Sequence, residues 1–307
     1  MKTKVDLSVS IGGMRLKNPV MVASGTFGYG EEYAPYLDLN MLGAIITKGI
    51  SLNPATGNPP PRICETPAGM LNAIGLQNCG LEAFITEKLP FLANLSTSII
   101  VNFWGRSEGE YQEAARRLSD LQGIAGLEMN ISCPNVKEGG ITFGCRPLDT
   151  SRIVSSVRKV TGLPLMVKLS PNVEDIRTIA RSAEEAGADA VSLINTIYGM
   201  AIDAETRRPK LRNVTGGLSG PAIKPIALRM VFEAARTVKI PVVGVGGITS
   251  AMDALEFIIA GAQAVEVGTA NLIDPDVSLK IIAGIEQYLA EHGMSTIDQL
   301  VGTIEVD

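Results

Sequence analysis

Eight short runs of buried-strand character recur along this chain, and their spacing limits the possible folds more than any other feature. They fall at Pro19 to Ala23, Ala44 to Lys48, Ile99 to Phe103, Gly126 to Asn130, Leu165 to Lys168, Ala190 to Asn195, Val242 to Gly246 and Ala264 to Val267. Between most of them lie stretches of helical period, such as 110–118 and 176–186. Such alternation describes parallel strands joined by crossover helices. A doubly wound open sheet uses the same alternation, but eight strands, no Gly-x-Gly-x-x-Gly fingerprint and Gly-rich ends on the last two strands favour closure. The expected fold class is therefore α/β, an eight-stranded β/α (TIM) barrel. Barrels routinely run about 250 residues and longer with insertions, so 307 residues fit a single domain, 1–307.

Local signals refine this outline. Val5, Leu7, Val9 and Ile11 alternate with polar residues, and Gly12-Gly13 then permit reversal into Met14 to Leu16, a hairpin that caps the barrel floor. Helix starts are expected at Ser107 with Glu110, Asn172 with Asp175 and Ser250 with Asp253, and helix exits at Gly187 and Gly261. Gly49 to Gly80 and Ile197 to Gly220 are too long for ordinary connections. Both follow strand C-terminal ends, the face where barrel active sites sit, and are expected to be long structured loops.

Composition excludes several functions. With 46% hydrophobic and 19% charged residues the chain can build a substantial core. A net charge of -5 and a pI near 5.2 argue against nucleic-acid binding and for a small-molecule partner. The N-terminus lacks the continuous apolar core of a signal peptide, and no apolar stretch approaches the roughly 20 residues of a membrane helix. A cytoplasmic protein without membrane contact is expected. Cys64, Cys79, Cys133 and Cys145 form no C-x-x-C pair and the single histidine is His292, so no metal site is expected.

The chemistry concentrates at the strand ends. Asn102, Asn130 and Asn195 close three β-runs, although Asn disfavours strand interiors and needs partners when buried. Each alone reads equally as a turn cap. Together they offer amide donors and acceptors to a planar heterocycle with imide edges. Lys48 and Lys168 end strands in apolar surroundings, so each pairs with a carboxylate elsewhere, faces an anionic ligand, or is a solvated rim lysine. Gly246-Gly247, at a helix start, and Gly268-Thr269 offer free amides to a phosphate. Cys133 follows strand four on a loop stiffened by Pro134. It is either a structural thiol or a base, since a free thiol titrates near about 8.5.

These residues resemble the class 1 dihydroorotate dehydrogenases, through Asn130-Ile-Ser-Cys-Pro-Asn, Thr47-Lys48-Gly49, Asn72-Ala-Ile-Gly-Leu, Val245-Gly-Gly-Ile and Val267-Gly-Thr. The run from Gly57 to Asn78 is similar to the NAD-linked class 1B branch rather than the fumarate-using class 1A. Cys133 stands where the quinone-linked class has Ser. The resemblance implies an FMN enzyme of de novo pyrimidine (UMP) biosynthesis that oxidises (S)-dihydroorotate to orotate. Cys133 would remove a proton from C5 while hydride leaves C6 for the flavin. Lys48, Asn72, Ala73, Ile74, Gly75, Leu76, Asn130, Asn195 and Thr196 would hold the substrate. Ser24, Lys48, Gly49, Asn102, Asn130, Lys168, Ile194, Gly220, Gly246, Gly247, Gly268 and Thr269 would hold FMN.

A chain with no dinucleotide fingerprint and no cysteine cluster needs another protein to pass electrons to NAD+. The resemblance supplies a subunit with FAD and a 2Fe-2S cluster, in a heterotetramer of two catalytic and two electron-transfer chains. Three rivals remain open. One is a uracil or thymine reductase like the barrel of dihydropyrimidine dehydrogenase, which typically has His where Asn135 stands. The second is a lyase or isomerase with Lys168 as a Schiff-base lysine, and the third a non-catalytic scaffold. Gly139-Gly140 marks a candidate mobile lid.

Overall fold

The computed structural model describes residues 5–132 and 143–306. The strands are, in chain order, β1 (Val9–Ile11), β2 (Met14–Leu16), β3 (Val20–Val22), β4 (Ala44–Ile46), β5 (Ile63–Thr66) and β6 (Gly69–Asn72). Then come β7 (Ser98–Phe103), β8 (Gly126–Asn130), β9 (Leu165–Lys168), β10 (Ala190–Leu193) and β11 (Ile197–Met200). The last are β12 (Ile202–Asp203), β13 (Arg208–Pro209), β14 (Thr215–Ser219), β15 (Val242–Val245) and β16 (Ala264–Val267). The eight expected buried runs become β3, β4, β7, β8, β9, β10, β15 and β16. They pair in parallel and in that order, with β16 closing on β3.

The helices are α1 (Leu81–Ala83), which continues through a π-helical stretch into α2 (Leu89–Leu92), then α3 (Glu108–Ser119), α4 (Pro147–Arg158), α5 (Ile176–Glu185), α6 (Lys224–Ala235), α7 (Ala251–Ile259), α8 (Ala270–Ile273) and α9 (Val277–Glu291). Ser107 caps α3 by accepting from the Glu110 amide, and Ser250 caps α7 by accepting from the Asp253 amide, as their spacing requires. The third cap falls differently. Asp175, not Asn172, caps α5, accepting from the Arg177 amide. Asn172 is committed elsewhere: its Nδ2 donates to the Thr196 carbonyl at 3.0 Å and its Oδ1 accepts from the Tyr198 amide at 3.1 Å.

Register decides what fills the barrel. Residues side by side on neighbouring parallel strands point the same way. Asn102 lies beside Glu128, Asn130 beside Lys168, Lys168 beside Ser192, Val245 beside Glu266, and Glu266 beside Met21. These side chains share the lumen with the apolar Met166, Ala190, Val243, Ala264, Ala44 and Ile100, so the barrel is a packed core with a polar upper end. Below it, β1 and β2 form the expected hairpin about Gly12 and Gly13, burying Ile11 and Leu16 completely.

The two long stretches are more ordered than loops. From them come β5 and β6, and β11 and β14, which assemble into one antiparallel sheet of order β11-β14-β6-β5. Its small core is Leu71, Ala73 and Leu211. This sheet walls one side of the C-terminal face. Among the described residues no helix is long and apolar enough to cross a membrane.

Candidate active site

A cavity of about 460 Å³ opens between the strand ends and the accessory sheet, within the size range of small-molecule sites. Of the residues expected to bind substrate or cofactor, all but one line it. Lys48, Asn72, Ile74, Gly75, Leu76, Asn130, Asn195 and Thr196 are on its wall, as are Ser24, Gly49, Asn102, Lys168, Ile194, Gly220, Gly246, Gly247, Gly268 and Thr269. Ala73 does not face it. As the residue after β6 it points into the small second core, while its amide donates to the Arg62 carbonyl at 2.8 Å. Cys133 lies outside the described residues, as do Pro134, Asn135 and Gly139-Gly140. The described chain stops at Ser132, one residue short of Cys133 and two beyond the cavity-lining Asn130.

The two strand-end lysines behave oppositely. Lys168 is 5% exposed, and its Nζ donates to Glu266 Oε2 at 2.6 Å and sits 3.5 Å from Glu128 Oε1. Glu128 also accepts from Ser192 Oγ at 2.7 Å and from Asn102 Nδ2 at 2.5 Å. Burial opposes the Lys168 ammonium, but Glu128 and Glu266 outweigh it and hold Lys168 above the usual lysine range. Lys48 is half-buried just past β4; its amide donates to the Gly28 carbonyl at 2.8 Å, but its ammonium has no hydrogen bond or ion pair to any described residue. Burial, then the cation of Arg62, pulls its ammonium below the usual range, against the weaker opposing pull of Glu32 and Cys79.

The asparagines do double duty. Asn130 Oδ1 accepts from the Ser132 amide and hydroxyl, and Asn195 Nδ2 donates to Ser132 Oγ at 2.6 Å, so the turn-cap reading holds for part of each side chain. Asn102 is different. Its Oδ1 is buried and has no partner, a costly state unless a ligand donates to it. Only glycine fits at position 49 beside it, since a Cβ there would lie 2.7 Å from that oxygen.

At the far end, Gly246 and Gly247 have φ of 125° and 76°, and a Cβ on Gly247 would come within 2.8 Å of the Lys224 backbone nitrogen. The amides of Gly246, Gly247, Gly268 and Thr269 bond to no other described residue. The start of α7 contributes less than its sequence implies. Asp253 turns back onto it, taking the Thr249 amide and hydroxyl and the Ser250 hydroxyl, and Lys224 holds that carboxylate at 2.6 Å. Burial opposes this carboxylate's charge, but Lys224, Thr249 and Ser250 prevail and lower its pKa to about 2.

Several wall residues were not among the expected site residues. Arg62 and Gln77 bond each other at 2.5 Å, and Asn172 and Ser219 also face the cavity. Glu128 and Glu266 were legible in principle: each stands in an otherwise apolar strand, and a buried charge must find a partner. The other thiols lie in different surroundings. Cys79 Sγ meets Tyr29 Oη at 3.3 Å, Cys64 is partly buried, and Cys145 is exposed. His292 stacks on Tyr288 at the end of α9, and among the described residues no cluster of metal-ligating side chains occurs.

The chain is similar to known proteins along nearly its whole length. A family profile described as dihydroorotate dehydrogenase matches residues 6–289. The chain is 59% identical over 302 residues to the dihydroorotate dehydrogenase B (NAD(+)), catalytic subunit, of Pelobacter propionicus, covering 98% of this chain and 99% of that protein. Proteins of the same name from Geotalea uraniireducens and Geobacter sulfurreducens are 60% and 58% identical, over 98% and 99% of this chain and 99% of each relative. A closed eight-stranded parallel barrel with polar strand ends, matched along nearly its whole length, belongs to the dihydroorotate dehydrogenase family.

Proposed function

We propose that this chain is the FMN-bearing catalytic subunit of an NAD-linked dihydroorotate dehydrogenase, a single domain over residues 1–307 that oxidises (S)-dihydroorotate to orotate for pyrimidine biosynthesis. The observation that carries the reading is Lys48: an ammonium without a partner among the described residues, on the wall of a cavity that also holds three strand-end asparagines. A buried cation left unpaired is costly unless an anion arrives to meet it. The carboxylate of dihydroorotate is that anion, with the amide edges of its ring suited to Asn72, Asn130 and Asn195.

The residues present fit FMN. Free amides at Gly246, Gly247, Gly268 and Thr269 suit its phosphate, and the partnerless Asn102 Oδ1 suits an imide N–H. Lys168 stands where negative charge on a reduced flavin would be stabilised. When bound, the flavin supplies the hydride acceptor.

The chain's own work is to bind, orient and move one proton. Lys48 anchors the carboxylate, and the asparagines fix the ring plane. Cys133, next after Ser132 in the sequence, accepts the C5 proton as thiolate. The relatives' names call them catalytic subunits, which supports a partner chain. That partner carries FAD and a 2Fe-2S cluster in an assembly of two catalytic and two electron-transfer chains, and the complex is cytoplasmic.

The test is anaerobic mixing of the purified protein with dihydroorotate while flavin absorbance is followed. Bleaching is expected, and NAD+ added without the partner should restore little colour. Cys133→Ser should keep flavin and slow bleaching about 10²- to 10⁴-fold near neutral pH, the usual worth of a general base. A colourless protein, or unchanged bleaching in that variant, contradicts the assignment.

A further inference from the structure

The charges inside the barrel do not balance as drawn. Glu128 and Glu266 are both completely buried, and among the described residues Lys168 is the only cation bonded to either. Their lumen neighbours are neutral: Asn102 on β7, Asn130 on β8, Met166 on β9, Ser192 on β10, Val245 on β15, Met21 on β3 and Ala44 on β4. Lys48 and Arg62, the other cations on the cavity wall, make no ion pair with either carboxylate. Two ionised carboxylates and one ammonium would leave a net negative charge where water cannot solvate it. Glu266 Oε1 also has no hydrogen-bond partner.

We propose that Glu128 and Glu266 share a single proton, which makes the Glu128, Lys168 and Glu266 cluster neutral and turns Glu266 into a positioning residue for Lys168. The proton resides chiefly on Glu266. Its carboxyl then donates to Glu128 while its Oε2 accepts from Lys168, and no oxygen is orphaned. The environment points the same way: burial and the negative charge of Glu128 push Glu266 well above the usual carboxylate range, whereas Lys168, Ser192 and Asn102 overcome burial and keep Glu128 below it.

The consequence concerns Lys168, which also lines the cavity. A neutral Glu266 restrains the ammonium as a hydrogen-bond acceptor rather than as a full counter-charge. Lys168 can then turn toward negative charge in the cavity while Glu128 keeps the floor balanced. The proton count stands whatever the cavity binds, but this consequence rests on the flavin reading above.

Infrared difference spectra of the full-length holoenzyme near neutral pH, wild type against Glu266→Gln and against Glu128→Gln, test the count. One carboxylic-acid carbonyl band is expected in wild type and in neither variant, because the glutamate left behind ionises against Lys168. A wild-type spectrum without the band, or a band kept in both variants, overturns the proposal. If the variants do not fold, the wild-type titration decides: the band must outlast the ionisation of the surface carboxylates. In folded holoenzyme the flavin potential should fall further in Glu128→Gln, where an ionised Glu266 grips Lys168, than in Glu266→Gln. Equal shifts contradict the positioning role. Flavin content and bleaching by dihydroorotate, scored on the wild type alone, report separately on the functional reading.

Discussion

Lys168 and Lys48 end two strands of one barrel and line one cavity, yet they answer the cost of a buried cation in opposite ways. Lys168 finds its counter-charge inside the fold, between Glu128 and Glu266. Lys48 finds none among the described residues, and Arg62 adds to its burden rather than relieving it. A satisfied cation stabilises the structure around it and sets the field of the site. An unsatisfied one lowers stability slightly and holds affinity in reserve for a ligand. Lys224 is an intermediate case, paired with Asp253 and Glu256 beside Gly247 at the glycine-rich end of the cavity but within reach of solvent.

The contrast is broken most forcefully at Lys168. Lys168→Met strands the carboxylates of Glu128 and Glu266 in the core, and removing one member of a buried ionic cluster costs about 3–5 kcal/mol. Urea unfolding checks this, and a loss below about 1 kcal/mol would mean the cluster is not dry. Lys48→Met should leave that unfolding midpoint within about 0.5 kcal/mol of wild type, since no protein contact is lost. It should weaken orotate about 10- to 100-fold, the worth of a hydrogen-bonded charge, read from perturbation of the flavin spectrum. Unaltered orotate affinity would remove Lys48 from the substrate site.

The phosphate end gives smaller effects. Gly247→Ala places a side chain at φ 76° against the Lys224 backbone. It should cost about 1–3 kcal/mol in strain and lower flavin retention, which gel filtration in dilute buffer would show. A variant that retains flavin as tightly as wild type would argue against phosphate at that corner. The smallest effect is acid sensitivity. Asp253 has its pKa lowered from the usual 3.8 to about 2, so its contribution is complete above pH 3.8 and lost as pH falls through about 2. With solvent nearby this amounts to about 1 kcal/mol, visible as an acid limb that Asp253→Asn flattens. An unchanged limb would assign acid sensitivity to other groups.

The sequence shows some of this and hides the rest for physical reasons. The barrel is legible because strands buried on both faces are short, continuous and apolar, and because Ser107 and Ser250 cap their helices through local contacts. The accessory sheet is hidden. Its pairing joins Asn72 to Gly217 across 145 residues, and β14 is glycine-rich, so no local pattern announces it. Asn172 shows how a side chain with good capping chemistry is taken by a distant backbone, leaving the helix to Asp175. Ala73 fails for a simpler reason: alternation at the end of β6 sends it, like Leu71, into the small second core while Asn72 and Ile74 face the cavity.

The site itself divides along the same line as the two lysines. Strand-end position finds Lys48, Asn102, Asn130, Asn195 and the glycine pairs, because barrel geometry brings every strand end to one face. It does not find the partners of Lys168, since Glu128 and Glu266 sit in mid-strand, where only a charge among apolar residues marks them. Of the alternatives expected at each lysine, an internal carboxylate, an anionic ligand or a solvated rim position, Lys168 takes the first, and Lys48 has no carboxylate partner among the described residues.

The claim that Lys48 awaits an external anion and Lys168 does not is tested most directly by the orotate-induced shift of the thermal unfolding midpoint in wild type and Lys48→Met. Stabilisation by a ligand follows its affinity, so about 100 times the dissociation constant gives about 2.7 kcal/mol. The account predicts a clear upward shift in wild type, and in Lys48→Met an unchanged midpoint without orotate and little shift with it. An equal orotate shift in both proteins would contradict it.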